Sequence, residues 1–314
     1  MKKICEVGVV IDILMATYNG EKYLRPQLDS ILQQSNQDWR LIIRDDCSTD
    51  KTVQIIKEYQ LLRPEQIVLL QAEQPSGSAQ NNFFQLLQYS KAEYIMFADQ
   101  DDVWLKNKVQ LTLDKMQQLE QQYGKDMPLL VHTDLAVVDE RLHILNNSMT
   151  IRQNINIKKN GLNNILVQNT VTGCSMMINQ SLKLFVAEIP KEAIMHDMWF
   201  ALIAAAFGHI DFVEKATILY RQHSDNVVGA KNTYYYLTHL KTEFQNLLYG
   251  QRKRYRQAAE FLEQFRDILP EQHQQLLYDY SALEGANLLR KIFVLTRHHL
   301  YKKGVFRKIG QIIL

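Results

Sequence analysis

The sequence predicts an α/β fold built on a Rossmann-like mixed sheet, mostly parallel over the first hundred residues, and followed by a helical C-terminal extension. Over the first hundred residues, short β-rich runs alternate with amphipathic segments of helix length, the pattern of βαβ units. Several of these runs end directly in polar or acidic residues, as strands of an open parallel sheet do where ligands bind. From Lys231 onward the β-rich runs stop, and apolar residues recur every three or four positions at Tyr234, Leu237, Leu240, Phe244 and Leu247.

Val10 to Ala16 reads as the first strand. Asn19 and Gly20 supply a turn, after which Tyr23, Leu24, Leu28, Ile31 and Leu32 share one face of a helix over Glu21 to Gln34. Trp39 to Arg44 is the second strand, and the polar run Asp45-Asp46-Cys47-Ser48-Thr49-Asp50 opens a helix with apolar positions Val53, Ile56 and Tyr59. Ile67 to Leu70 is the third strand, followed by a Pro75 to Ser78 loop and a helix over Asn82 to Tyr89. The fourth, Tyr94 to Ala98, runs straight into Asp99-Gln100-Asp101-Asp102. Then the pattern changes. Leu129 to Val138 and Leu142 to Met149 read as a hairpin, Gly173 to Ile178 and Ala216 to Tyr220 as further strands, and Asp197 to Phe207 as a helix between them.

Composition narrows the class. At 314 residues, with 46% hydrophobic and 22% charged residues and only 12 Gly and 6 Pro, the chain is folded and about two domains long, which excludes collagen-like and disordered classes. No apolar run reaches the ~18 residues of a membrane span, and Met198 to Phe207 stops at Gly208. The basic start carries Glu6 and Asp12 where a signal peptide needs an unbroken apolar region, so the expected location is cytoplasmic. Cys5, Cys47 and Cys174 lie far apart, which indicates neither a disulfide framework nor a zinc ribbon. The formal net charge of +2 hides an asymmetry: 229–314 holds 14 basic against 7 acidic residues, a net of +7, leaving −5 for 1–228. Two regions are expected, a catalytic one over 1–228 and a basic helical extension over 229–314. The acidic region has no basic patch interleaved with aromatics, which argues against nucleic acid.

The chain lacks G-x-G-x-x-G and G-x-x-x-x-G-K-[ST], so a bound nucleotide must be held in another way. Asp99, Asp101 and Asp102 crowd carboxylates after an apolar strand, an arrangement that repels itself unless solvent or a cation compensates, and hard oxygen ligands suit Mg²⁺ or Mn²⁺. The competing reading is a solvated loop or a helix N-terminus.

The motifs together resemble those of family 2 glycosyltransferases of the GT-A fold. They are Ala16-Thr17-Tyr18-Asn19-Gly20, Asp45-Asp46-x-Ser48-Thr49-Asp50, Asp99-x-Asp101, Gly173-Cys174, His196-Asp197-x-Trp199 and Tyr220-Arg221-Gln222-His223-Ser224-x-Asn226. Within the family the combination is most similar to bacterial rhamnosyltransferases of cell-wall or capsular polysaccharide synthesis. The resemblance implies a metal-dependent inverting transferase that moves L-rhamnose from dTDP-β-L-rhamnose to a lipid-linked glycan. The alternatives are a family member using a UDP-hexose and a non-catalytic carbohydrate-binding or scaffold protein. It also implies residue roles. Ala16, Thr17, Tyr18 and Asp46 would surround the base and ribose, where a carboxylate can accept the N3–H of thymine or uracil. Asp99 would face the donor ribose or the metal, Asp101 and His223 would ligate the metal, and Arg221 would lie at the phosphates. Asp197 would take the acceptor hydroxyl's proton, against the plainer reading of a helix N-cap. Ser48 and Asp50 read as turn and cap residues.

Between Asn287 and Leu314 stand seven basic residues and no acid, interleaved with Leu288, Leu289, Ile292, Phe293 and other apolar residues and split by Gly304 into two short helices. Such a segment can lie on an anionic membrane surface, which would place the enzyme at the inner face of the cell membrane. It can equally pack on the protein or close a homodimer.

Overall fold

β1 (Ile11–Thr17) is buried on both faces along nearly its whole length, as a central strand covered by helices must be. β2 (Trp39–Asp45) and β4 (Tyr94–Ala98) flank it in parallel, and β3 (Ile67–Gln71) lies parallel beyond β2. The connections are helical: α1 (Leu24–Leu32), α2 (Thr52–Leu62) and α3 (Ala79–Tyr89). Leu24, Leu28 and Ile31 of α1 join Ile56 and Tyr59 of α2 in the core under Ile11, Ile13 and Met15. Ser78 starts α3 by accepting a hydrogen bond from the Asn81 N–H at 3.1 Å, three residues ahead of the start read from the sequence. From β1 the chain steps outward to β3 and then returns to β4 on the other side of β1. The carboxyl ends of β1 and β4 therefore lie side by side where the strand order reverses, the place where open α/β sheets bind ligands.

The computed structural model describes residues 11–223 and 240–313. Residues 1–10 with Cys5 and Glu6, the motif residues Ser224 and Asn226, the helix positions Tyr234 and Leu237 and the 228/229 boundary lie outside them.

Among the described residues the sheet is completed by β5 (Val103–Trp104), β6 (Leu129–Val138), β7 (Ile144–Asn146), β8 (Met176–Asn179) and β9 (His209–Arg221), in the order β3-β2-β1-β4-β8-β6-β9-β5 with β7 on β6. β8 runs antiparallel to β4 and β6, and β5 antiparallel to β9, so beyond the parallel first half the sheet is mixed, as expected. The expected hairpin exists, but its second arm is only β7. Gly173–Ser175 is a 3₁₀ turn leading into β8 rather than strand. β9 begins seven residues before the expected Ala216, because its parallel pairing with β6 runs from the half-exposed His209 through Val213 and resumes at Ala216 past the exposed, unpaired Glu214 and Lys215. The sequence reading assigns no element to 105–128, where the structure has α4 (Lys108–Tyr123). Its Gln-rich face obscures the buried positions Val109, Thr112, Leu113, Met116 and Leu119 at helical spacing. Shorter helices are α5 (Met149–Gln153), α6 (Leu162–Val167) and α7 (Gln180–Leu184), and α8 spans His196–Phe207.

The chain forms two compact units. The first comprises Met1–Met149, Thr172–Ile189 and His209–Arg221; the second comprises Thr150–Val171, Pro190–Gly208 and Gln222–Leu314. In the second, α9 (Leu240–Phe265), α10 (Glu271–Ser281), α11 (Leu288–Arg297) and α12 (Val305–Ile313) form the helical region expected from the sequence. Trp199 of α8 is fully buried and meets Phe261 and Phe265 of α9 at ring-centroid distances of 5.3 and 6.3 Å. His298 just past α11 reaches Asp279 of α10 at 2.7 Å. Gly304 separates α11 from α12 at φ +103°, a conformation that side-chain-bearing residues rarely adopt. Among the described residues, no helix is long and apolar enough to cross a membrane. On α11, Val294 and Leu295 are buried, while Leu288, Leu289, Ile292 and Phe293 stay exposed.

Replacing the indole that joins α8 to α9 should open a large cavity. Trp199→Ala is expected to remove about 3–5 kcal/mol of unfolding free energy, read as a lower urea midpoint at constant slope. A loss under ~1 kcal/mol would mean that the α8–α9 contact contributes little.

Candidate active site

Two loops at the carboxyl end of β1 and β2 are stitched together before any ligand arrives. The Thr17 hydroxyl, 1% exposed, donates to Asp45 Oδ1 at 3.0 Å, and Asp45 also accepts the Ser48 hydroxyl at 2.6 Å and the Ser48 N–H at 2.8 Å. The Asn19 N–H donates to Ser48 Oγ, and Asn19 Oδ1 accepts the Thr49 N–H, both at 2.9 Å. Asn19 and Cys47 hold φ of 46° and 65°, so each loop turns sharply just past its strand. Asp50 accepts the N–H of Thr52, the first residue of α2, at 2.9 Å, but the N-cap position is Lys51, so the cap reading does not hold for Asp50, and Ser48 laces the loops instead.

Asp46 is buried. Its Oδ1 accepts from Arg44 Nη1 at 2.9 Å and the Ser76 N–H at 2.7 Å, and its Oδ2 accepts the Ser76 hydroxyl at 2.9 Å. An ionised carboxylate has about four acceptor sites, so Oδ2 keeps room for another donor. Tyr18 presents its ring to solvent at 58% exposure, and its backbone is held by Gln100, whose Oε1 accepts the Tyr18 N–H at 2.9 Å while Nε2 donates to the Tyr18 carbonyl at 3.0 Å. Gln100 lies in the acidic loop after β4, so this double bond ties that loop to the end of β1. Gly20 leaves room beside it, since a Cβ there would sit 2.3 Å from Gln100 Oε1 and would have to displace the amide from its two bonds to Tyr18.

The acidic loop carries the charge. Asp99, Asp102 and Cys174 offer ligand atoms within 4.8 Å of one another. Asp102 is 1% exposed, and its Oδ2 makes no hydrogen bond. Burial, and then the Asp99 and Asp101 charges, push its carboxyl well above the usual range, opposed by the Arg221 N–H that donates to Oδ1 at 3.1 Å. Burial and the Asp102 and Asp99 charges likewise raise the Cys174 thiol. Lys108, at the start of α4, is fully buried with Nζ 4.7 Å from the centre of the Trp104 ring. Burial brings its pKa down to about 8, against the pull of Cys174 and Asp102. Two carboxylates, one with an orphaned buried oxygen, fit a hard divalent cation; a thiol alone would suit softer metals.

Of the residues named from the sequence, the structure thus brings Thr17, Asp45 and Ser48 together, joins Tyr18 to the acidic loop, and places Asp99 with Asp102 rather than with Asp101. Ala16 is half-buried on β1 beside them. Arg221 is 3% exposed: Nε donates to the Asp101 carbonyl at 2.8 Å, Nη1 donates to the Glu140 carbonyl at 2.5 Å, and the guanidinium lies 4.7 Å from the Tyr23 ring centre. Its backbone and guanidinium thereby hold the acidic loop at Asp101 and Asp102. Asp197 and His223 belong to the second unit. Asp197 stands in the first turn of α8, partly buried, with Oδ1 accepting the Met198 N–H at 2.5 Å; the N-cap position is Met195, so the cap reading does not hold. Its neighbour His196 is buried, which lowers its pKa to about 3 and keeps it neutral. His223 is partly buried and is the last residue described before 224–239. The sequence reading missed Lys108 and the part played by Gln100. Lys108 was findable, since it shares the buried face of α4 with Thr112 and Met116 at i, i+4 and i+8.

Known proteins share this architecture. The family model described as Glycosyl transferase family 2 matches residues 12–183. The chain is 29% identical over 229 residues to the dTDP-rhamnosyl transferase RfbG of Shigella flexneri, covering 69% of this chain and 74% of that one. Among solved structures it is similar to the mannosyltransferase PcManGT from Pyrobaculum calidifontis in complex with GDP-Man and Mn²⁺, with a TM-score of 0.56 at 12% identity over 97% of this chain and 85% of that one. It is also similar to S. aureus TarS 1-349 in complex with UDP-GlcNAc, with a TM-score of 0.55 at 15% identity over 96% and 88%. At such identities these two likenesses speak to the fold.

The clasp between Gly20 and Gln100 can be tested by a double-mutant cycle. Gly20→Ala should displace the Gln100 side chain and cost about 1–2 kcal/mol of stability. In a Gln100→Ala background the same change should cost under about 0.5 kcal/mol. Equal costs in both backgrounds would show that the close approach is not what demands glycine.

Proposed function

The chain belongs to glycosyl transferase family 2 and has the GT-A fold, and from that premise we propose that it is an inverting rhamnosyltransferase that extends a lipid-linked cell-surface polysaccharide, with dTDP-β-L-rhamnose as donor. The observation that carries the transferase reading is the carboxylate cluster of Asp99 and Asp102 at the reversal point of the sheet. Support for the donor sugar is the similarity to RfbG over 69% of the chain.

On this reading the nucleotide lies over the end of β1. Ala16, Thr17 and the exposed Tyr18 ring line the base and ribose, and Asp46 Oδ2 accepts the N3–H of thymine. Asp99 faces the ribose and the diphosphate. Asp99 and Asp102, with Asp101 and His223 as the family resemblance implies, would hold Mg²⁺ or Mn²⁺, which supplies charge neutralisation for the departing nucleoside diphosphate. Arg221 and Gln100 fix the acidic loop so that its carboxylates are preorganised, and preorganised charge needs no rearrangement as the leaving group develops. Asp197 accepts the proton of the acceptor hydroxyl while that oxygen attacks the anomeric carbon from the face opposite the nucleotide, which inverts its configuration. The exposed Leu288, Leu289, Ile292 and Phe293 on α11, with the exposed Arg290 among them, support peripheral attachment to the anionic inner face of the membrane.

Asp197→Asn keeps the shape of the side chain and removes the base. Turnover should fall by about 10² to 10⁴ while the affinity for the donor stays within a few-fold; an unchanged turnover would place the base elsewhere. With a panel of nucleotide sugars and a rhamnose-terminated acceptor, product is expected from dTDP-L-rhamnose alone. Efficient transfer from a UDP-hexose would replace the donor assignment and leave the fold and family untouched.

The membrane reading has its own assay. Wild-type protein should sediment with anionic liposomes at low salt and release at high salt, and Leu289→Gln with Phe293→Gln should abolish the binding. Indifference of the wild-type chain to such liposomes would mean that this face packs against protein.

A further inference from the structure

The second unit contains a cavity of about 440 Å³ that shares no residue with the acidic cluster. A volume of that size accommodates a small polar ligand. Its wall is unusually one-sided in charge: Lys159, Lys302, Lys303, Lys308 and His299 line it, and no carboxylate does so among the described residues. Neutral donors complete it, among them Asn164 and Thr170, whose hydroxyl oxygen is buried without a hydrogen-bond partner.

The wall is built rather than accidental. The segment between α11 and α12 turns at His299, with φ 54°, and again at Gly304, with φ 103°. Between these turns it is fixed from both sides. Buried Gln311 of α12 donates to the Leu300 carbonyl at 2.7 Å and accepts the Lys302 N–H at 3.1 Å, while Gln168 beside α6 accepts the Lys303 N–H at 3.2 Å. Lys302 is half-buried. Burial, with the nearby Arg254 and Arg307 charges, brings its pKa down to about 8, as befits an ammonium group among cations. Gly304, on the cavity wall, directly precedes α12, whose first turn contains no acidic residue to offset the partial positive charge of a helix N-terminus.

Four lysines, an orphaned hydroxyl and a helix start converge on a space with no anion of the protein's own. We propose that this cavity binds a phosphate or diphosphate group, carried either by a soluble molecule or by a lipid headgroup. A fully hydrated surface patch would need no half-buried lysine, whereas a dianion in the cavity gives Lys302 the counter-ion that its surroundings withhold. The proposal stands on the cavity alone and does not require the transferase reading.

The test is calorimetric titration of the full chain with inorganic pyrophosphate in the presence of EDTA, which keeps metal-dependent diphosphate binding out of the signal. Wild-type protein should bind, and Lys302→Met and Lys308→Gln should each weaken binding by about tenfold or more. Lys302→Met removes a half-buried charge and so should fold at least as well as wild type. Flotation with phosphatidylcholine vesicles, with and without phosphatidic acid, separates the two sources. Binding that requires phosphatidic acid, is displaced by pyrophosphate and is lost in Lys302→Met identifies a lipid headgroup. Pyrophosphate binding that depends on Lys302, together with vesicle behaviour that does not, identifies a soluble phosphate compound. No binding of pyrophosphate at millimolar concentration, or equal affinity in wild type and both variants, would overturn the proposal.

Discussion

A carboxylate that is almost wholly removed from water, with two more acids within three residues, is the constraint around which the first unit is arranged. Asp102 cannot be hydrated where it sits, and a lone buried charge costs several kcal/mol of solvation. The neighbouring structure answers that cost piece by piece. β9 runs thirteen residues to bring Arg221 to the loop, where its N–H reaches Asp102 and its guanidinium reaches the Asp101 carbonyl. β5 pairs with the same strand and so anchors the far side of the loop. α4 begins with Lys108, a buried cation that feels Asp102 and Cys174. One acceptor, Asp102 Oδ2, is still left over, and it faces a second carboxylate and a thiol. A protein that merely needed a stable loop could have replaced these acids with amides. An acid held out of water beside a second carboxylate, with one oxygen left without a partner, is the arrangement that a cationic ligand would complete.

The parallel half of the fold was legible because its physics is local. Trp39–Asp45 and Tyr94–Ala98 are buried apolar runs bounded by polar residues, and the strand boundaries read from sequence agree with the observed ones to within a residue. Legibility declined where pairing rather than pattern decides the structure. His209–Ala216 is half-exposed and carries charges, and only its parallel partner β6 makes it a strand. The Gly173–Ser175 turn hides a short strand behind apparent β-propensity, and the glutamines of α4 mask a sound amphipathic helix.

The site shows the same division. The acidic motif and the loops after β1 and β2 were visible as residue types. Which carboxylate partners which was not visible, because Asp102 instead of Asp101 turns inward and neither spacing nor charge says so. Gln100 was hidden for a simpler reason: an amide within a run of acids reads as a spacer, yet here its two bonds to Tyr18 fasten the acidic loop to β1, and a glycine makes the space for it. The basic tail shows how one composition can serve two ends. Val294 and Leu295 are buried, as packing on the protein needs, Leu289 and Phe293 are exposed, and Lys302 belongs to neither group, being held in a cavity wall.

The central claim is that the buried carboxylates are completed by a divalent cation arriving with a nucleoside diphosphate. Calorimetric titration with dTDP tests it most directly, comparing Mn²⁺ with EDTA for wild type and for Asp102→Asn, with circular dichroism to verify that both are folded. The account requires tight binding only for wild type with Mn²⁺, and a weakening of about tenfold to a hundredfold when either the metal or the Asp102 charge is removed. Equal affinity in EDTA, or an Asp102→Asn variant that binds dTDP and Mn²⁺ as wild type does, would contradict it.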